Sequence, residues 1–308
     1  MKHNYCSVIS KDYVHKGLML YDSLIKHDPD FQFFFICMNE EAKSLLEKMQ
    51  LEKATLIPIS DVERQYEELA SVKYTRNEKE YAWTSKGSIF LYLFANYPEL
   101  EHLVWLDSDI VFYSSPEPIF AELRECSILL TMERFVGENK KLNSIFGIYN
   151  TGLMGFKRDD NAMECIKYFK EKCIEWCYNA VVPGKWSDQM YVNDWVKRFN
   201  KVRIIRNVGI NATGWNIQNC RIRKLENKLY VNDKKLVFFH YSGFYYYNDK
   251  EFELCGYIKL PEDAINLVYI PYAKKYSEMI ALVNAFDTTA YREKYIGWAY
   301  NYYKIDGE

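Results

Sequence analysis

The chain has 308 residues, a formal net charge of −2 and 49% hydrophobic residues. This length allows one large α/β domain, or one domain with an appended segment. The balanced charge gives no electrostatic case for binding nucleic acid, and no apolar run is long enough to predict a membrane span.

The first half of the chain alternates short apolar runs with amphipathic segments, which is the pattern of βαβ units. The pattern predicts an α/β protein in which strands and helices follow one another. The predicted elements are a strand at 5–10, a helix at 15–27, a strand at 31–38, a helix at 40–50, a strand at 54–60, a polar stretch at 61–80, a helix at 84–96 and a strand at 104–111.

The second half shows the same mixture as far as Pro261, and then becomes helical and rich in tyrosine without strand signals. Two strands split by Asn232 and Asp233 are typical of a hairpin. The predicted elements are strands at 127–132 and 152–156, helices at 161–177 and 187–199, a strand at 202–206, and hairpin strands at 225–231 and 235–241.

Two aspartates one residue apart, Asp107 and Asp109, end the apolar run that begins at Val104. Ligands of α/β sheets bind beyond the carboxyl ends of the strands. In a continuous strand the two carboxylates share one face, with Ser108 on the other. Two hard oxygen ligands suit Mg²⁺ or Mn²⁺, and such an ion suits a phosphate-bearing substrate. The alternative is a strand that runs into an Asp-rich turn.

Six short motifs then occur in the order that is known from one enzyme family. They lie at 106–109, 116–120, 150–156, 187–189, 215–216 and 240–243. On these motifs the chain resembles the GT-A-fold nucleotide-diphospho-sugar glycosyltransferases, specifically the glycogenin-like retaining group, and the resemblance covers roughly residues 5–245. The Arg-x-x-x-Glu-Tyr-x-Trp stretch at 76–83 resembles a bacterial-type branch of that group.

The resemblance implies a Rossmann-like GT-A fold, with a central mixed, mostly parallel sheet flanked by helices. We expect this glycosyltransferase domain over residues 1–255 and a helical, tyrosine-rich C-terminal extension over 256–308, packed on the domain. The implied reaction is metal-dependent transfer of a hexosyl-type sugar from a nucleotide-diphosphate donor. A UDP-sugar is the expected donor, a glycan or lipid-linked molecule is the expected acceptor, and retention is the expected outcome, as in polysaccharide biosynthesis.

The resemblance also implies a metal site and a catalytic pair. Asp107, Asp109 and His240 would hold Mn²⁺ or Mg²⁺, although an isolated histidine could equally cap a hairpin. Asp188 and Gln189 would lie beneath the donor sugar, and Asp188 ranks first as the group that acts at the anomeric carbon. The alternative for Asp188 is an ordinary helix N-cap.

Further residues are implied as contacts of the nucleotide-sugar donor. Arg76 or Lys86 would replace the arginine that the family normally presents, although solvated charge is the simpler interpretation of each. The lysine that usually follows the last motif is replaced by Tyr246, so the positive partner of the leaving diphosphate is left open. The expected donor contacts are Ser7, Ile9, Arg76, Lys86, Ser108, Asn150, Gly152, Trp215, Asn216 and Gly243.

Two other functions stay open at this point. The Asp-x-Asp sequence also resembles the nucleophile motif of haloacid-dehalogenase-like phosphatases and phosphotransferases, with Asp107 as nucleophile. That motif normally lies near the start of its domain, whereas about a hundred residues precede it here. A non-catalytic, sugar-nucleotide-binding relative is the other alternative, and the presence of Asp107, Asp109 and His240 together argues against it.

The polar amino terminus leads directly into a strand pattern, so we expect no signal peptide. The eight cysteines show no disulfide or zinc spacing, and we expect reduced thiols in a cytoplasmic protein. A tyrosine-rich helix also allows peripheral contact with the inner face of a membrane. The sequence does not predict the oligomeric state.

Overall fold

A computed structural model describes residues 2–287, 297 and 299–305. Parts of the predicted extension, at 288–296, 298 and 306–308, lie outside the described residues, as does Met1. The strands are β1 (His3–Ile9), β2 (Phe31–Cys37), β3 (Ala54–Pro58), β4 (His102–Leu106), β5 (Ile110–Phe112), β6 (Ile128–Met132), β7 (Tyr149–Lys157), β8 (Val202–Ile205), β9 (Ala212–Thr213), β10 (Ile222–Leu225), β11 (Lys228–Val231), β12 (Lys234–Lys235), β13 (Phe238–His240), β14 (Tyr245–Asn248), β15 (Glu251–Glu253) and β16 (Tyr302–Lys304).

The helices surround these strands and vary widely in length. A π-helical turn, Ile265–Tyr269, joins the last two of them. The α-helices are α1 (Val14–His27), α2 (Glu40–Met49), α3 (Ile59–Gln65), α4 (Glu67–Val72), α5 (Glu78–Asn96), α6 (Glu117–Arg124), α7 (Asn143–Phe146), α8 (Asp160–Glu175), α9 (Trp195–Arg198), α10 (Glu262–Ala264) and α11 (Ile270–Phe286).

A seven-stranded sheet forms the centre, in the order β3-β2-β1-β4-β7-β6-β8. Strand β7 runs antiparallel to both of its neighbours, and the other pairings in this sheet are parallel. The predicted mixed, mostly parallel sheet is therefore confirmed. The chain order reverses at β1, which has β2 on one side and β4 on the other. Such a switch point opens a crevice at the carboxyl ends of the strands.

Both faces of the central sheet are buried, because side chains alternate along each strand. On β4, Val104 and Leu106 enter one hydrophobic core, whereas Leu103 and Trp105 enter the other. Helices cover both faces, as in other parallel sheets. Helix α5 begins at a capping box in which the side chains of Asn77 and Glu80 each accept from the other's backbone N–H.

A small second sheet, in the order β5-β13-β9, lies next to the carboxyl end of β4. Strand β13 pairs antiparallel with β5, and His240 is the register partner of Ile110. This pairing brings the end of β13, which is remote in sequence, beside the two aspartates that precede β5.

Two local predictions were wrong. The predicted strand at 104–111 is interrupted, because Asp107 to Asp109 form a turn between β4 and β5 in which the Ile110 N–H donates to the Asp107 carbonyl. The predicted helix at 187–199 is a 3-10 turn, Gln189–Val192, followed by the single turn of α9. The stretch at 61–80, for which only polar character was predicted, lies largely in α3, α4 and the start of α5, and few of its residues are buried.

The predicted hairpin around Asn232 and Asp233 is confirmed only at its tip, where β11 pairs with β12. The following strand, β13, leaves the hairpin to join β5 and β9. Near the C-terminus, β16 pairs with β15, a strand that the sequence pattern did not predict. In the described part of the chain, we find no helix that is both long and apolar enough to cross a membrane.

Candidate metal and donor site

Asp107, Asp109 and His240 come together at the carboxyl edge of β4. One potential ligand atom from each side chain lies within 4.8 Å of the others. His240 Nε2 lies 3.0 Å from Asp109 Oδ1 and 3.9 Å from Asp107 Oδ2. A continuous strand was predicted to place both carboxylates on one face. The turn between β4 and β5 brings them together instead, and both carboxylates face His240.

The orientation of His240 is set by its surroundings. Its Nδ1 lies 3.3 Å from Asn211 Oδ1, and Asn211 Nδ2 donates to Thr131 Oγ1. In the tautomer that donates from Nδ1 to Asn211, the unprotonated Nε2 faces the carboxylates. Gly152 makes room for the ring, since a Cβ at Gly152 would lie 2.6 Å from His240 Cε1.

The electrostatics of the three side chains match a site for a divalent cation. Burial alone raises the pKa of Asp109, but the charge and hydrogen bond of His240, together with Lys16, hold that pKa well below its usual value. Burial lowers the pKa of His240, and Asp109 then raises it above its usual value. Two carboxylates with one imidazole form a donor set that suits Mn²⁺ or Mg²⁺.

Lys86 lies at the centre of a buried charge cluster. It is 1% exposed, and its Nζ lies 2.9 Å from Asp188 Oδ2 and 3.4 Å from Asp107 Oδ1. The Lys86 Nζ also donates to the carbonyl of Thr151. Burial lowers the pKa of Lys86, but Asp107 and Asp188 raise it above its ordinary value, so the ammonium stays charged. The interpretation of Lys86 as solvated surface charge is therefore wrong.

Asp188 and Gln189 are brought to the same site. Asp188 precedes the 3-10 turn without a capping hydrogen bond from its side chain, so the N-cap alternative is also wrong. Gln189 Nε2 donates to Glu133 Oε1 at 2.7 Å and to the Phe146 carbonyl at 2.8 Å. The Gln189 carbonyl oxygen accepts from Asn150 Nδ2 at 3.3 Å.

Glu133 is a site residue that the sequence reasoning missed. It is 4% exposed, and its carboxylate accepts hydrogen bonds from Asn150, Gln189 and Trp215. Burial raises the pKa of Glu133, and these three hydrogen bonds oppose that effect. Its position directly after a predicted strand, at the edge where the aspartates also lie, was the available signal.

Asn211 was also missed as a site residue. Its side chain is fully buried, and it connects His240 to Asn150, whose Oδ1 accepts from Asn211 Nδ2 at 3.1 Å. Asn150 Oδ1 also accepts from the Gly152 N–H. A hydrogen-bonded series therefore runs from His240 through Asn211 and Asn150 to Gln189.

The remaining predicted donor contacts fall into two groups. Trp215 lies at the site, with its ring centroid 6.2 Å from that of His240, and Asn216 holds the backbone of Asn211 and Thr213. Ser108 lies in the turn between the two aspartates. Gly243, at φ +84°, lies three residues beyond His240.

The second group of predicted donor contacts has its side chains in other surroundings. It consists of Ser7, Ile9 and Arg76. Ser7 and Ile9 are fully buried in β1, and the Ile9 carbonyl accepts from the Met38 N–H. Arg76 donates to the carbonyls of Cys173 and Ile174, the last turn of α8. Cations favour a helix C-terminus, which explains this placement. The structure does not bring Arg76 to the metal cluster.

No protein-family model matches the chain. A protein of Bacillus subtilis (strain 168), YfnF, is 33% identical over 251 residues, which cover 79% of this chain and 82% of YfnF. The chain belongs to the family of YfnF. A second protein of the same organism, YfnD, is 29% identical over 272 residues and 87% of each chain. Both relatives are described as uncharacterized.

Solved structures of similar fold are glycosyltransferases. The galactosyltransferase LgtC, in complex with donor and acceptor sugar analogs, matches with a TM-score of 0.60 and 13% identity, over 90% of this chain and 94% of LgtC. GlyE of Streptococcus pneumoniae TIGR4 matches with a TM-score of 0.51 and 13% identity, over 96% of this chain and 65% of GlyE. The GT-A fold that the sequence motifs predicted is confirmed.

Proposed function

We propose that this chain is a metal-dependent glycosyltransferase. It transfers a hexosyl-type sugar from a nucleotide-diphosphate donor, first of all a UDP-sugar, to a glycan or lipid-linked acceptor, with retention at the anomeric carbon. The observation that carries this proposal is the convergence of Asp107, Asp109 and His240 at the switch point of a GT-A sheet. The likeness to LgtC, whose structure holds donor and acceptor sugar analogs, supports it.

In this proposal the carboxylates of Asp107 and Asp109 and Nε2 of His240 hold Mn²⁺ or Mg²⁺. When bound, such an ion acts as a Lewis acid that neutralises charge on the leaving diphosphate. Asn211 keeps His240 in the tautomer that leaves Nε2 free to bind. Ser108 and Gly243 contact the diphosphate through the turn and loop that flank these ligands.

Asp188 and Gln189 act on the sugar in the same proposal. Asp188 forms an ion pair with Lys86, and its negative charge stabilises the oxocarbenium-like anomeric centre. Gln189 presents its carbonyl oxygen, because its amide nitrogen is bound to Glu133 and Phe146. The donor is further held by Asn150, Gly152, Trp215 and Asn216.

The proposal extends to the organisation and setting of the chain. Residues 1–255 form the glycosyltransferase domain, and the described part of 256–308 forms an extension packed on it. The protein acts in the cytoplasm, with peripheral contact at the inner face of the membrane when the acceptor is lipid-linked. Its role is in polysaccharide biosynthesis.

Thermal unfolding with UDP, GDP, CMP and ATP, each with and without Mn²⁺, tests the proposal. A ligand at about a hundred times its Kd stabilises by about 2.7 kcal/mol, which raises the midpoint of a chain of this size by roughly 2–4 °C. We expect UDP to give this shift only with Mn²⁺. Asp109→Ala removes a ligand and should abolish the shift. Asp233→Ala, at an exposed turn, should keep it.

The nucleotide that shifts the midpoint is then tested as its sugar derivative, by measuring nucleotide release. Binding without release, over a panel of sugars and glycan acceptors, would favour the non-catalytic relative. Absence of any nucleotide shift would contradict the proposal. Phosphate release that depends on Asp107 would favour the phosphatase, although the GT-A fold already argues against that alternative.

A further inference from the structure

The proposed reaction places more negative charge in the site than the groups described so far can balance. Asp107 and Asp109 together offset a divalent cation. The ammonium of Lys86 is enclosed by Asp107, Asp188 and the Thr151 carbonyl, and Asp188 offsets its charge. The doubly charged diphosphate of a sugar nucleotide therefore needs a further positive partner.

Lys16 is placed to be that partner. It lies in the first turn of α1, which follows β1 at the switch point between β1 and β4. Its Nζ donates to the carbonyl of Phe244 at 3.2 Å. Phe244 follows Gly243 directly and lies four residues beyond His240, in the loop that leaves the metal site.

The loop that Lys16 contacts is joined to the turn that holds the two aspartates. The backbone carbonyl of Asp109 accepts from the Tyr241 N–H, which ties the 241–244 loop to the aspartate turn. The side chain of Lys16 is half-buried, whereas Lys86 is 1% exposed, so Lys16 retains a surface on which a ligand can bind.

We infer that Lys16 binds the diphosphate of the sugar-nucleotide donor and stabilises the charge that develops on it during transfer. This inference rests on the proposed function. In the transfer, the anomeric C–O bond breaks and its electron pair stays on the diphosphate. A bond forms to the acceptor hydroxyl oxygen, and the hydroxyl proton passes to the diphosphate or to solvent. Lys16 keeps its proton throughout and acts as a fixed charge.

Isothermal titration with UDP and with uridine, both in the presence of Mn²⁺, tests the inference. Lys16→Met keeps the stem of the side chain and removes the charge, and should weaken UDP binding by about tenfold or more. Uridine, which lacks the diphosphate, should bind Lys16→Met as it binds the unaltered protein. Lys16→Arg should restore UDP affinity to within about threefold. Lys26→Met, at the exposed far end of α1, should change neither ligand.

The outcomes separate this inference from the proposed function. Tight UDP binding by both the unaltered protein and Lys16→Met would overturn the role of Lys16 and leave the proposed function intact. An equal loss of UDP and uridine affinity would also overturn it, because the effect would then not involve the diphosphate. If the unaltered protein binds neither UDP nor the other nucleotide diphosphates, the proposed function fails, and the inference fails with it.

Discussion

Glu133 receives its hydrogen bonds from side chains that we place around the donor sugar. Asn150 and Gln189 donate to one carboxylate oxygen, and Trp215 donates to the other at 2.7 Å. A buried carboxylate that accepts from two amide groups determines which end of each amide faces the site. We therefore expect Glu133 to act as a positioning residue for Gln189, and not as a group that touches the reacting atoms.

Glu133→Gln tests this expectation at the scale of one residue. The new amide can place a donor opposite the amide nitrogens of Gln189 and Asn150, so Gln189 is free to turn over. We expect kcat to fall by about ten- to a hundredfold, since misplaced groups cost rates of that order. The Kd of the nucleotide with Mn²⁺ should change little.

A double variant separates positioning from an independent role of Glu133. If Glu133 acts through Gln189, then Glu133→Gln combined with Gln189→Ala should lose no more activity than Gln189→Ala alone. Additive losses in kcat would contradict the expectation. Steady-state kinetics of nucleotide release measure both quantities.

At the scale of elements, the packing of β7 against β13 controls the metal site. Gly152 lies on β7 where the ring of His240 crosses the strand, and a Cβ there would also lie 2.9 Å from His240 Nδ1. The sequence resemblance linked Gly152 to the donor sugar. The structure shows that a glycine here also leaves space for the ring of His240. A larger residue at position 152 would clash with the ring of His240, the third member of the candidate metal site.

Gly152→Ala should therefore displace His240 and abolish the Mn²⁺-dependent nucleotide shift. We expect the overpacking to cost about 1–3 kcal/mol of unfolding free energy. Gly155→Ala, on the same strand, is the matched control, since its Cβ would lie 3.1 Å from Leu129 Cβ in the core. If Gly152→Ala keeps the full nucleotide shift, the position of His240 does not depend on the space left by Gly152.

The elements that the sequence predicted well are those with strong local patterns. The strands and helices of the first 50 residues follow their apolar periodicity, and their bounds differ by only a few residues from the prediction. The helix at 187–199 failed because its polar side chains have tertiary partners. Gln189 donates to Glu133, and Asn193 Oδ1 accepts from the Ile148 N–H. Such long-range bonds compete with a regular helix, and local sequence does not reveal them.

At the scale of the whole molecule, the end of the chain is joined to the loop behind the candidate site. Asn301 is 7% exposed and lies next to β16, which pairs with β15. Its side chain donates to the carbonyls of Cys255 and Ile258 and accepts from the Leu260 N–H at 2.8 Å. The same loop contacts the site, because the Gly256 N–H donates to the Gly243 carbonyl.

Asn301→Ala should destabilise the whole fold, since it leaves several buried backbone groups without partners. Each such group costs about 1–3 kcal/mol, and we expect a loss of about 3 kcal/mol in chemical denaturation. Tyr300→Ala, at a neighbouring position that is 56% exposed, should cost little. If Asn301→Ala and the unaltered protein have the same free energy of unfolding, the hydrogen bonds of Asn301 are not needed for stability.

The sequence by itself determined the α/β class, the central strands and the residues with the chemistry of a metal site, because periodicity and residue type are local properties. It also pointed to the GT-A fold through the order of its motifs. Only the tertiary structure decided that the aspartates form a turn, that Lys86 is buried against Asp188, that Arg76 caps α8, and that Glu133 and Asn211 belong to the site. These features depend on contacts between residues far apart in the chain, and their energies arise only when packing brings the charges and hydrogen-bonding groups together.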